Sequence, residues 1–193
     1  MLTQKDVEIL NIEQKYQGFV RVKSYTLKHR LYDGSWSNVM HRELVDRGHA
    51  VAVLAIDEKT EQVILTQQFR IGAIQADSPW ILDVIAGMIE VGEAPEEVAM
   101  RETQEEVGGE LKILEKIATY YGSAGACSEQ TTLFLGSMNS ESLPQYAGCK
   151  HENEDILIVK MKYQEFFDYL QSAHCSTASL TIAGLWLKKY LSV

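Results

Sequence analysis

The chain has 193 residues, 46% hydrophobic and 23% charged, and its 27 acidic and 18 basic side chains leave a formal net charge of −9. That length suits one domain, at most with an appended subdomain, able to fold without disulfide staples, and the acidic balance argues against a protein that grips a nucleic-acid backbone or an anionic membrane. No apolar run approaches the ~20 residues of a membrane-spanning helix, Lys5 and Asp6 interrupt the place of a signal-peptide core, and the widely spaced Cys127, Cys149 and Cys175 suit a reducing cytoplasm rather than a zinc site or disulfide framework.

In chain order, residues 18–32 alternate apolar and polar side chains (Val20, Val22, Tyr25, Leu27) and read as one or two half-buried strands. Asp33-Gly34 is a turn signal, Trp36 to Val45 suits a returning strand, and Arg47-Gly48-His49 breaks the pattern. Val51 to Ile56 and Gln62 to Thr66 flank a polar turn and predict a core hairpin. Trp80 to Ala86 predicts a strand ending at Gly87. Pro95 to Val107 predicts a helix, with proline in its first turn and Gly108-Gly109 as its stop. Strands follow at about 112–121, 131–137 and 155–161, then helices near 163–172 and 177–191. Trp80, Trp186 and the C-terminal Leu/Tyr pattern read as core. This order gives an α+β domain with a mixed sheet, not a regular βαβ array.

The charge is concentrated. Between Glu93 and Glu110 there are seven glutamates and one basic residue, Arg101, a net −6 of the chain's −9. On the predicted helix Glu102, Glu105 and Glu106 share one side with Val98, because residues three and four apart are neighbours. A solvated acidic face would explain a charge run, but Glu102 and Glu106 repel at i,i+4 with no lysine between them, and Val98 belongs inward. Clustered carboxylates on a partly buried face are stable when a hard cation joins them; Mg²⁺ takes such oxygens and commonly bridges to phosphates, and Mn²⁺ suits the same ligands.

Gly87 to Gly109 reads GMIEVGEAPEEVAMRETQEEVGG. It resembles the Nudix box: glycine, five residues, Glu, seven residues, Arg-Glu, an aliphatic, any residue, Glu-Glu, any residue, Gly, an aliphatic. Gly87, Glu93, Arg101, Glu102, Glu105, Glu106 and Gly108 match, whereas Thr103 and Gly109 stand where aliphatic packing residues are usual. Beyond the box, YQGF (16–19), HRLYDG (29–34), HRELVDRGHA (41–50), QQFRIGA (67–73), PWILDVIAGMIEVGE (79–93), GSAGACSE (122–129) and HENEDI (151–156) resemble the bacterial ADP-ribose pyrophosphatase branch of that superfamily. Ser123-Ala124-Gly125 departs from the branch's usual Ser-Pro-Gly.

The resemblance implies a Nudix α/β/α sandwich at 49–193, preceded at 1–48 by an antiparallel β subdomain that swaps across a two-fold homodimer. It implies a cytoplasmic hydrolase that cleaves ADP-ribose to AMP and ribose 5-phosphate with Mg²⁺ or Mn²⁺, acting on a small nucleoside diphosphate sugar and on neither nucleic acid nor membrane. The metal ligands would be Glu102, Glu106, Glu154 and the carbonyl of Ala86, with Glu105 near them and Arg101 holding the array, helped by Glu93. Glu152 would be the general base, with Glu129 as its rival. Phe19, Arg42 and Glu43 would reach the substrate from the second subunit, and Arg70 would contact a phosphate or ribose. Two other functions compete: hydrolysis of ADP-glucose or a GDP-sugar, and non-catalytic sensing of ADP-ribose, which the retained carboxylates disfavour. Cys127 and His151 invite a nucleophile–base pair, but lone loop residues of these types are usually structural.

Overall fold

The computed structural model describes residues 1–149, 153–172 and 176–192. Contacts divide the chain into one unit of Met1–His49 with Tyr121–Gln130 and another of Ala50–Tyr120 with Thr131–Val193. The second stretch of the first unit is an excursion that the sequence-based division at residue 48 does not contain.

The first unit is built on an antiparallel sheet in the order β1-β2-β3, with β1 at Val7–Gln17, β2 at Arg21–His29 and β3 at Met40–Asp46. The Asp33-Gly34 turn is present: the Asp33 carboxylate accepts from the Ser35 N–H at 2.8 Å and hydroxyl at 2.6 Å, and Gly34 adopts φ +86. Two expectations change. The returning strand starts at Met40, because Trp36 makes only an isolated bridge to Arg30, whose guanidinium lies 4.2 Å from the indole centroid. The long β1 is absent from the strands read from the residue pattern, which begin at residue 18. Register shifts at Ile9/Asn11 and Gln14/Tyr16 break its period-2 signal, and nearly all of it is exposed. Within the same unit, the excursion is tied to β3 by Val45 N–H donating to the Ala126 carbonyl at 2.7 Å and Ser128 N–H to the Val45 carbonyl at 3.0 Å. The Ser123-Ala124-Gly125 turn closes without proline, since Cys127 N–H donates to the Ser123 carbonyl at 2.9 Å.

The second unit carries β4 (His49–Asp57), β5 (Gln62–Phe69), β6 (Trp80–Asp83), β7 (Ile85–Ile89), α1 (Pro95–Val107), β8 (Lys112–Tyr121), β9 (Gln130–Ser137), β10 (Tyr146–Ala147), β11 (Ile156–Lys162), α2 (Tyr163–Gln171) and α3 (Ala178–Tyr190). The strands form a mixed sheet ordered β10-β11-β5-β4-β9-β8, with β6 paired to β5, β7 paired to β4, and β4 parallel to β9. The strand expected from Trp80 to Ala86 is two, and the second runs through Gly87. Among the described residues no helix is long and apolar enough to cross a membrane.

β4 explains the layering. Its run Val51 to Ile56 is fully buried, and successive side chains alternate faces. Ala52, Leu54 and Ile56 pack with Phe166, Phe167, Leu180 and Leu187 of α2 and α3, whereas Val51, Val53 and Ala55 pack with Val98, Ala99 and Val107 of α1. The sheet therefore lies between helices on both faces, an α/β/α sandwich. Trp80 corrects the core assignment: it is 56% exposed, edge-on to Phe69 at 5.9 Å, and Leu185 and Tyr190 are also exposed while Trp186 packs on the core.

Asp57 closes the far end of β4. Its Oδ1 accepts from the N–H groups of Lys59 (3.0 Å) and Thr60 (3.2 Å), and its Oδ2 from the N–H (3.0 Å) and hydroxyl (2.6 Å) of Ser140. Desolvation opposes the charged form, but these donors outweigh it and lower the pKa to about 2. A lowered carboxyl contributes stability above its unfolded value and loses it as pH falls from about 4 through about 2. Asp57→Asn places an amide N–H against donors and should cost roughly 2 kcal/mol at pH 7. Urea melts at pH 7 and pH 2.5 should show a gap that narrows in acid; a gap that widens would contradict this account.

Candidate active site

α1 is set by its ends. Pro95 occupies the first turn, the Glu97 carboxylate accepts from the Ala94 N–H at 3.2 Å, and Gly108 stops the helix at φ +71 while its N–H reaches the Gln104 carbonyl at 3.0 Å. The two departures from the box pattern are accommodated. Thr103 is fully buried, with its hydroxyl donating to the Ala99 carbonyl at 2.7 Å. At Gly109 an added Cβ would lie 2.0 Å from Met138 Cε and 2.8 Å from Leu143 Cδ2, so these two side chains fill the space an aliphatic residue would take.

With α1 fixed, its carboxylates sit in different environments. Glu105 is exposed, Glu102 is partly buried, and Glu106 is 3% exposed. Glu106 Oε1 accepts from Gln68 Nε2 at 3.1 Å, and its Oε2 accepts from the Ala86 N–H, also at 3.1 Å. Desolvation is the main reason its pKa is pushed up to about 8; the Ala86 N–H, the charge of Arg70 and the Gln68 amide pull the other way, and the charge of Glu154 adds to the rise. Glu102 is raised by desolvation against the pull of Arg101, and Glu105 and Glu154 push it further. Glu154 is thus brought electrostatically to both glutamates, with its own Oε2 accepting from the Cys149 N–H at 3.3 Å. Glycine at 87 is dictated by Glu102: a Cβ there would lie 1.8 Å from Glu102 Cδ.

Arg101 uses its whole guanidinium. Nε donates to Glu93 Oε1 (3.2 Å), Nη2 to Glu93 Oε2 (3.2 Å) and to the Met88 carbonyl (3.3 Å), and Nη1 to Glu102 Oε1 (2.8 Å) and Glu105 Oε2 (3.2 Å). Arg101, expected to hold the glutamate array with help from Glu93, thus binds three carboxylates and a backbone carbonyl of β7. As arranged, no three acidic, His or Cys side chains among the described residues enclose one point. The donor chemistry still suits a hard divalent cation: Glu102 and Glu106 are desolvated and each feels the charge of Glu154, so a cation held between such carboxylate oxygens would relieve their repulsion.

The other expected residues fall elsewhere. Burial raises the pKa of Asp83, against the Thr177 hydroxyl that donates to it at 2.6 Å and, more weakly, the charge of Arg70, which follows β5. In the first unit, Phe19 is 87% exposed, Arg42 and Glu43 are exposed on β3, and Glu129 pairs with Arg47 Nε at 2.7 Å. Glu152 and His151 lie outside the described residues. Gln68 and Asp83 are the polar groups that sequence reading missed. Their signal was a polar residue inside a strand's buried run, QVILTQQF and WILDVI, which patterning alone does not separate from an edge position.

The chain matches the model of the NUDIX domain over residues 46–173. It is 38% identical over 190 residues to an ADP-ribose pyrophosphatase of Haemophilus influenzae, covering 96% of this chain and 88% of that one. It is 34% identical to the ADP-ribose pyrophosphatase of Escherichia coli K12, at 95% and 88% coverage, and 28% identical to a GDP-mannose pyrophosphatase of Cronobacter sakazakii, at 81% and 84%. A crystal structure of an ADP compounds hydrolase shares the fold with a TM-score of 0.70 at 23% identity, covering all of both chains. By box, fold and relatives, the chain belongs to the NUDIX family of hydrolases.

Proposed function

We propose that this chain hydrolyses the pyrophosphate bond of ADP-ribose to AMP and ribose 5-phosphate in the cytoplasm, with Mg²⁺ as its cation and Mn²⁺ as a substitute. The observation that carries this reading is 38% identity, across 96% of the chain, to a protein named for that activity. The carboxylates of Glu102, Glu106 and Glu154 and the Ala86 carbonyl are the oxygens that would hold the cation, with Glu105 beside them. Held there, the cation would supply charge neutralisation on the pyrophosphate oxygens and would raise the acidity of the attacking water. Arg101 keeps Glu102 and Glu105 in register, and Glu93 anchors Arg101. Glu152 accepts the proton of the attacking water as its oxygen bonds to phosphorus and the bridging P–O bond breaks; Glu129 is the alternative base. Arg70 meets the substrate's phosphate or ribose. The chain works as a homodimer in which Phe19, Arg42 and Glu43 reach the neighbouring protomer's substrate. The exposed Ile9, Leu10, Ile12 and Tyr16 of β1 support a covered surface there.

Relatives named GDP-mannose pyrophosphatase favour a second reading, another nucleoside diphosphate sugar as the main substrate. Incubation with Mg²⁺ and ADP-ribose, ADP-glucose or GDP-mannose, with products separated by chromatography, decides. ADP-ribose should give the highest kcat/KM, and absence of AMP from it would overturn the first reading. Glu152→Gln should slow turnover more than Glu129→Gln, and the reverse would exchange the base. Sedimentation of the full chain as a monomer would remove the dimer.

A further inference from the structure

We propose that Gln68 is a positioning residue that fixes Glu106, the most buried carboxylate of α1, in the orientation a cation requires; the proposal rests on the reading of Glu106 as a metal ligand.

The argument begins with burial. Gln68 is 5% exposed, and a buried amide is stable only when it is paired. Ile64 belongs to the core that packs on α1, and strand period 2 puts position 68 on the same face. Gln68 therefore meets the helix where Glu106 stands, and its Nε2 donates to Oε1 at 3.1 Å. The second oxygen is taken by the Ala86 N–H at 3.1 Å. Two donors from different strands, one on each oxygen, define the carboxylate plane and its rotamer. An ionised carboxylate offers about four lone-pair directions, so each oxygen keeps one for a further partner.

The chemical type of the donor matters as much as its place. Arg101 binds Glu93, Glu102 and Glu105 with a full positive charge, on the more open side of the helix. At Glu106 such a cationic donor would neutralise the carboxylate and compete with the metal. A neutral amide orients it and leaves its charge free. Groups that hold metal ligands from behind in this way are typically worth about 10- to 100-fold in metal affinity or activity.

Mn²⁺ binding to the full chain, followed by electron paramagnetic resonance, tests the assignment with activity as a second readout. Gln68→Met keeps the length and loses the donor; Gln68→Asn keeps the amide but withdraws it by one methylene. Each should weaken Mn²⁺ binding by about 10- to 100-fold. Turnover should fall at low Mn²⁺ and return as Mn²⁺ is raised, with the substrate KM at saturating metal nearly unchanged. A packing role alone would lower the melting temperature and leave the Mn²⁺ midpoint in place. A folded variant of either kind with the wild-type midpoint overturns the proposal. Wild-type protein that hydrolyses its substrate yet shows no Mn²⁺ binding overturns the Glu106 ligand reading, and the proposal with it.

Discussion

Replacing Glu106 with Gln should reduce kcat by about 10³-fold while leaving the fold intact. The loss follows from the proposed role of the carboxylate as a cation ligand. A metal ion contributes several kcal/mol of transition-state charge stabilisation, and about 4 kcal/mol corresponds to three powers of ten. The fold survives because the substitution is isosteric and the site tolerates a neutral group. The Ala86 N–H keeps an amide oxygen to donate to, and Gln68 can turn its own amide to accept. Stability should then separate the variants by pH. Burial raises the Glu106 pKa to about 8, above the ordinary carboxylate value. A raised carboxyl contributes stability that is fully present below its unfolded pKa and lost as pH rises through the folded one. Metal-free wild type should therefore lose melting temperature relative to Glu106→Gln between about pH 4.5 and pH 8. Mg²⁺ should reverse the loss in wild type alone, because the ion binds the deprotonated form and displaces a proton. Equal pH profiles for the two metal-free proteins would contradict the buried, desolvated state of Glu106.

How much of this was legible in the sequence depends on whether the determinant was local. α1 has the expected limits, Pro95 and Val107, because proline at its start and Gly108 at its stop are local signals. The core strand β4 was equally plain, since six consecutive apolar residues buried on both faces need no partner to be recognised. β1 was invisible for the opposite reason. Its strand character comes from pairing with β2, and its bulges scramble the alternation that would have announced it. β7 misled through Gly87, which punctuates a sequence but here is kept inside a strand because Glu102 fills the place of its side chain. In the candidate site, box spacing singled out the acidic residues and Arg101. It was silent on Gln68, whose partner Glu106 lies 38 residues away and meets it only through packing of β5 on α1.

Arg101→Lys should cost about 10²-fold in kcat with only a modest loss of stability. The guanidinium has five N–H donors, and here all five are used, on three carboxylates and one carbonyl. A lysine ammonium keeps the charge but offers its three donors from a single nitrogen, so it cannot hold Glu93 on one side and both Glu102 and Glu105 on the other. Glu102 is then free to shift within the space left by Gly87, and with Glu102 as the proposed cation ligand a displacement of about 1 Å is enough to lose two powers of ten. The stability cost is smaller, about 1 kcal/mol, because the Arg101 side chain is 35% exposed and solvent screens its ion pairs. Saturating Mg²⁺ should recover part of the rate, since a disordered ligand still binds when the ion is in excess, whereas Glu106→Gln should not recover. Turnover of Arg101→Lys within threefold of wild type would show that charge alone, without the fork, organises the carboxylates, and Glu93 would then have no orienting part to play.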